Sequence, residues 1–166
     1  MKIHFNQAHI NEIKLGNNDF IIFFGQHGMA FNHSYEKWKE DYHELSKIEK
    51  PSISHPNQCI NFGNNNCLVC IPDNFLSDED LKKTMYTWLN YANLNNYSRF
   101  IANGVRGTVN LGTINENNSN RVKFIVELIK EWYNDNSNSK LMDIVLVSYD
   151  DDYIKNFPSK LIDLGS

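Results

Sequence analysis

The stretch Phe20-Ile21-Ile22-Phe23-Phe24-Gly25-Gln26-His27-Gly28-Met29-Ala30 decides how this chain is read. Five apolar residues in a row suit a strand buried on both faces, and they run straight into a loop punctuated by Gly25 and Gly28. The pattern returns at Arg99-Phe100-Ile101-Ala102, which runs into Asn103-Gly104-Val105-Arg106-Gly107-Thr108. Glycine lets a backbone approach a phosphate with its N–H groups forward, and a helix that follows adds its positive end. One such loop reads as an ordinary strand-to-helix turn. Two of them in one small chain point to a diphosphate held from both sides.

Working outward from these strands, residues 2–5 read as a short opening strand. Residues from about 34 to 48 read as an amphipathic helix capped by Ser34, with Tyr35, Trp38, Tyr42 and Leu45 on one face. Residues 58–62 and 67–71 are two strands joined through Gly63-Asn64-Asn65-Asn66, a hairpin-type connection. Ser77-Asp78-Glu79-Asp80 opens a helix with an acidic first turn, and Leu81, Met85, Trp88, Leu89 and Ala92 form its core face. Residues 120–133 form the last long helix, striped by Val122, Ile125, Val126, Ile129 and Trp132. Residues 142–148 are the final expected strand, followed by a short helix over 149–157 that Pro158 stops. The tryptophans Trp38, Trp88 and Trp132 fall on core faces and read as packing. Strands alternate with helices, which is the pattern of a three-layer α/β domain around a parallel or mixed sheet. Ligands of such sheets sit beyond the carboxyl ends of the strands, where both glycine loops open.

The 166 residues fit one domain, 1–166. Apolar and aromatic contents of 41% and 13% suit a folded globule and exclude a disordered chain. A net charge of -4 with no basic stripe argues against a nucleic-acid groove, and no apolar run reaches the length of a membrane span. Cys67 and Cys70 form a Cys-x-x-Cys, but inside a strand they face opposite sides, so Cys59, Cys67 and Cys70 read as structural thiols. No cofactor is expected, and no metal: the acidic run Asp150-Asp151-Asp152 is consecutive and does not converge on an ion. An odd cysteine count without a signal peptide implies a reducing, cytoplasmic setting. The asparagine runs suit turns and hint at an A/T-rich genome, including a phage genome.

With these motifs in place the chain resembles the macrodomains, the ADP-ribose-binding α/β family. The resemblance is best in the last 90 residues or so. There Ser98-Arg99-Phe100-Ile101-Ala102 is similar to the family's penultimate strand, and Asn103-Gly104-Val105-Arg106-Gly107 to its diphosphate-wrapping loop. Asp151-Asp152-Tyr153 resembles the acidic, aromatic-containing terminal segment of many members. Gly28-Met29-Ala30 is similar to the sequence in the branch that deglycosylates ADP-ribosylated glutamate. The resemblance implies a three-layer α/β/α macrodomain-like fold with a mixed central sheet. It also implies an ADP-ribose-type small molecule, or an ADP-ribosylated macromolecule, as partner. There are departures. Ala8-His9-Ile10 stands where many members carry a Gly-Asp-Ile-like turn. Phe23-Phe24-Gly25 replaces an asparagine-rich segment, and the second glycine loop lacks an acidic residue.

On this reading Gly25, Gly28 and Met29 approach one side of the diphosphate, and Gly104, Val105, Arg106, Gly107 and Thr108 the other. Gln7 or His9 accepts the adenine amino group, and Tyr149 stacks on adenine or ribose. His27, Asn32 and His33 are the candidates for catalysis at the distal ribose, His27 because its pKa lies near the working range. The leading expectation is a binder that reads or sequesters an ADP-ribose- or NAD-derived molecule. The alternatives are a hydrolase of ADP-ribosyl or ADP-ribose-phosphate bonds, and a protein-interaction module whose pocket Phe24 and Phe31 close.

Overall fold

The computed structural model describes residues 1–8, 12–25, 40, 59–72, 77–103, 118–148 and 160–165, with backbone alone at 23–25, 70–72, 103 and 118–121. These residues form seven strands and two long helices. The elements are β1 (Lys2–Gln7), β2 (Asp19–Gly25), β3 (Cys59–Phe62), β4 (Asn66–Pro72), α1 (Asp78–Leu94), β5 (Arg99–Asn103), α2 (Asn118–Asp135), β6 (Asp143–Ser148) and β7 (Leu161–Asp163). The strands lie in one sheet in the order β3-β4-β2-β5-β6-β1-β7. The five inner strands run parallel, and β3 and β7 are antiparallel edges.

Crossover handedness explains the layering. The chain steps from β4 over β2 to β5 through α1, then from β5 to its neighbour β6 through α2. Both steps run the same way across the sheet, so right-handed crossovers put both helices on one face. The packing agrees. Leu81, Met85 and Leu89 of α1 and Ile125, Ile129 and Trp132 of α2 share one core cluster with Phe20, Ile22, Phe100 and Ile144. The step from β1 to β2 runs the opposite way, and Ile13 and Leu15 of that connection pack on the other face, with Ile21, Leu68, Ile101 and Val145. The result is a three-layer α/β/α arrangement about a mixed sheet, as the sequence led us to expect.

Local chemistry supports each element. In β2, Phe20 and Ile22 enter the helix-side core and Ile21 the opposite one, all at 0% exposure, which matches the unbroken apolar run. The Ser77 hydroxyl accepts a hydrogen bond from the Asp80 amide at 3.2 Å and caps α1, whose first turn holds Asp78, Glu79 and Asp80. Trp132 is fully buried in α2 and donates its indole N–H to Asn90 Oδ1 at 2.8 Å. Trp88 is only half-buried and stacks on Phe20 at 5.8 Å between centroids. Phe62 pairs with Asn66, so three residues close the β3–β4 hairpin, with Gly63 and Asn65 at φ 53° and 61°.

Two differences from the sequence reading stand out. The helix α2 begins two residues earlier than expected, and β7 was not anticipated. Three residues are too few to show an alternating pattern, and only Ile162 of β7 packs against the core. Glu40 is helical and exposed, within the helix expected over 34–48. The rest of that helix, with Trp38, and the helix expected over 149–157 lie outside the described residues.

Candidate functional site

The parallel strands bring five carboxyl ends to one edge. Phe23 of β2, Asn103 of β5, Val147 of β6 and Asn6 of β1 stand in one row of partners across the sheet. Beyond that row β2 ends at Gly25 beside Pro72, and Gln7 stands opposite Ser148. The Ala8 amide continues this pairing by donating to the Ser148 carbonyl at 3.0 Å. The four strands β2, β5, β6 and β1 are contiguous, so their ends span three strand spacings, about 14 Å. The two glycine-bearing segments leave neighbouring strands, β2 and β5, about one spacing of 4.8 Å apart.

Two of the expected site residues fall on this frame. Gln7 is the exposed last residue of β1, and Gly25 is the last residue of β2. The remaining ligand candidates His9, Gly28, Met29, Gly104, Val105, Arg106, Gly107, Thr108 and Tyr149, and the catalytic candidates His27, Asn32 and His33, lie outside the described residues. His4 donates from Nε2 to Asp143 Oδ1 at 2.7 Å.

The opposite edge carries groups that the sequence reading did not single out. Asp19, 2% exposed, receives a two-pronged hydrogen bond from Arg99: Nε to Oδ1 at 2.9 Å and a terminal guanidinium nitrogen to Oδ2 at 2.7 Å. Asp19 Oδ2 also accepts the Gly16 amide at 2.7 Å. The Asn66 amide side chain accepts the Asp19 N–H at 2.8 Å and donates to the Gly16 carbonyl at 3.1 Å. Every strong contact of this buried carboxylate is internal, so the network fixes the strand starts. Beside it lies a polar hollow of about 420 Å3, lined by Asn18, Asn61, Asn65, Tyr91, Asn95, Asn96 and Tyr97. Asn18, Asn65 and Asn96 all have positive φ near 61–62°, a conformation that asparagine tolerates in turns.

A second unanticipated cluster joins the outer hairpin to α1. The sequence advertises Cys67 and Cys70, but the hairpin brings Cys59 to Cys67. The two thiols lie side by side, with Tyr91 next to Cys59 and Tyr97 next to Cys67. The neighbouring Cys67, with help from Tyr91, lowers the Cys59 pKa from 9.0 to about 7, against the opposing effect of burial. Cys67 is pushed well up by that same pairing and by burial. Tyr91 rises to about 12 through the neighbouring Cys59 and through burial, and Tyr97 rises through burial and the nearby Cys67. Among the described residues no three His, Cys, Asp or Glu side chains gather as a metal site, and no helix is long and apolar enough to cross a membrane.

Comparison with known proteins places the architecture. No family model matches the sequence, and no curated protein matches it. Among solved structures it is similar to a Trypanosoma brucei macrodomain crystallised in complex with ADP. The TM-score is 0.59 at 8% sequence identity, over 93% of this chain. The match spans 66% of the length of that macrodomain. At this identity the likeness speaks for the fold: the chain shares the three-layer α/β/α architecture of a macrodomain.

Proposed function

We propose that this protein binds ADP-ribose, or a related NAD-derived nucleotide diphosphate, at the carboxyl edge of its sheet. The observation that carries the reading is the adjacency of β2 and β5. It starts the two glycine-bearing segments one strand apart, on a sheet whose fold is shared with a macrodomain crystallised with ADP. Backbone N–H groups of residues 25–29 and 104–108 then embrace the diphosphate, with the Thr108 hydroxyl and the Arg106 charge beside them. Binding through backbone dipoles suits a chain of net charge -4. Toward β6 and β1, Tyr149 stacks on adenine or ribose, and Gln7 or His9 accepts the adenine amino group. The strand ends span enough width for a nucleoside diphosphate laid across them.

Binding without turnover is the reading we favour. The chain lacks the asparagine-rich segment and the acidic loop residue that hydrolytic relatives of this fold use. The test is thermal stabilisation by ligand, because a molecule that binds only the native state raises its melting temperature. Saturating ADP-ribose is expected to raise Tm, and incubation with ADP-ribose-1''-phosphate is expected to leave it intact. No shift removes the proposed site. Phosphate release that His27→Ala abolishes replaces the binder with a hydrolase.

A further inference from the structure

The Cys59–Cys67 pair has no part in the proposed nucleotide cleft. It sits in the outer β3–β4 hairpin, on the face that carries α1. Cys59 pairs with Val69 and Cys67 with Asn61, so the two thiols lie diagonally across adjacent antiparallel strands and on the same face. Cys67 is fully buried, while Cys59 is half-buried on β3, an edge strand among the described residues.

We propose that Cys59 is a peroxide-reactive thiol and that Cys67 is its resolving partner, the pair closing reversibly into a disulfide. In the first step the Cys59 thiolate attacks one oxygen of a hydroperoxide. An S–O bond forms, the O–O bond breaks, and the departing oxygen takes a proton as water or an alcohol. Sulfur is oxidised by two electrons and the peroxide reduced by two. In the second step Cys67 sulfur attacks Cys59 sulfur. The S–S bond forms, the S–O bond breaks, and the hydroxyl leaves with the Cys67 proton as water.

The roles follow from the surroundings. The titratable groups around Cys59 are Cys67 from β4 and Tyr91 from α1, with Tyr97 beyond Cys67. Each is a neutral donor toward a sulfur anion. The pair therefore loses its first proton at about 7, from the more exposed sulfur. At pH 7 about half of Cys59 is then thiolate, against roughly one part in a hundred for a thiol at 9.0. Lower basicity weakens the anion about eight-fold, which leaves a net gain of about six-fold. Cys67 stays protonated and buried, on the same face of the hairpin as the atom it has to attack. Diagonal neighbours stand about 7–8 Å apart at Cα, slightly beyond relaxed disulfide reach. Closing the bond thus draws β3 toward β4.

Alkylation of the native chain by iodoacetamide, mapped by peptide mass, tests the first role. Cys59 is expected to react first, about six-fold faster at pH 7 than a model thiol, with a midpoint near 7. Equal or earlier labelling of Cys67, or a Cys59 rate no faster than the model thiol's, overturns the proposal. Hydrogen peroxide tests the second. In a Cys70→Ser background it should yield a Cys59–Cys67 linked peptide, lighter by two hydrogens and reopened by dithiothreitol. Cys67→Ser should instead accumulate a Cys59 sulfenic acid that a dicarbonyl probe traps. Absence of both products in folded protein contradicts it.

Discussion

At the residue scale the strongest feature is the carboxylate of Asp19. It is buried, it is met by both prongs of Arg99, and it also accepts the Gly16 amide. Removing one partner of a buried pair leaves an uncompensated charge, at a cost of about 3–5 kcal/mol. Arg99 keeps a 27% exposed side chain, so water offsets part of that loss. Arg99→Leu is expected to destabilise the fold by about 3 kcal/mol in urea unfolding; a change below about 0.5 kcal/mol contradicts a structural role. The Ser77 cap belongs to the same scale. Ser77→Ala should cost about 1 kcal/mol, and an unchanged urea midpoint refutes the cap. Ser77 was legible from its own neighbours, Asp78 to Asp80. The Asp19–Arg99 pair was not, because its members are 80 residues apart in sequence and meet only when β2 and β5 become neighbours. The same holds for Cys59 and Cys67, whose contact depends on the hairpin register.

At the scale of elements, Phe20 ties β2 to α1. Its ring lies within 5.4–5.8 Å of Trp88, Tyr91, Tyr97 and Phe100, centroid to centroid. Phe20→Ala is expected to cost about 3–5 kcal/mol through lost burial and the cavity left behind; a loss under about 1 kcal/mol would mean that the layer repacks freely. The tyrosines beside it give a pH dependence with a definite sign. Tyr91 and Tyr97 have folded pKa values raised above 10.0. Their stabilisation is complete below pH 10 and is lost as pH rises, since the unfolded phenols ionise first. Cys67, raised from 9.0, acts in the same direction, whereas the contribution of Cys59, lowered to about 7, builds up as pH rises from about 7 to 9 and stays constant above. The urea midpoint should therefore fall above pH 9–10, with phenolate absorbance appearing as the chain unfolds. A midpoint unchanged from pH 9 to 11 contradicts the buried cluster. Periodicity made β2, α1 and α2 readable, because each carries a long apolar run or stripe. It failed for β7, where three residues carry one core contact.

At the scale of the whole molecule, sheet order links the fold to the proposed function. Contiguous carboxyl ends of β2, β5, β6 and β1 turn segments far apart in sequence into neighbours. The glycine motifs made a candidate site readable in the sequence; the strand order that sets β2 beside β5 depends on tertiary packing and crossover handedness. If the diphosphate lies against residues 104–108, Gly104→Glu should abolish binding while Tm stays within a few degrees of the parent. The substitution would put a side chain and a negative charge where the phosphates sit, and unchanged affinity would remove that loop from the site. The most direct measurement is calorimetric titration of the native chain with ADP-ribose, with NAD, AMP and ADP-ribose-1''-phosphate as comparators. Micromolar or tighter binding of ADP-ribose is the expected result; no heat from any of the four at saturating concentration would leave the macrodomain-like fold standing and contradict its proposed use.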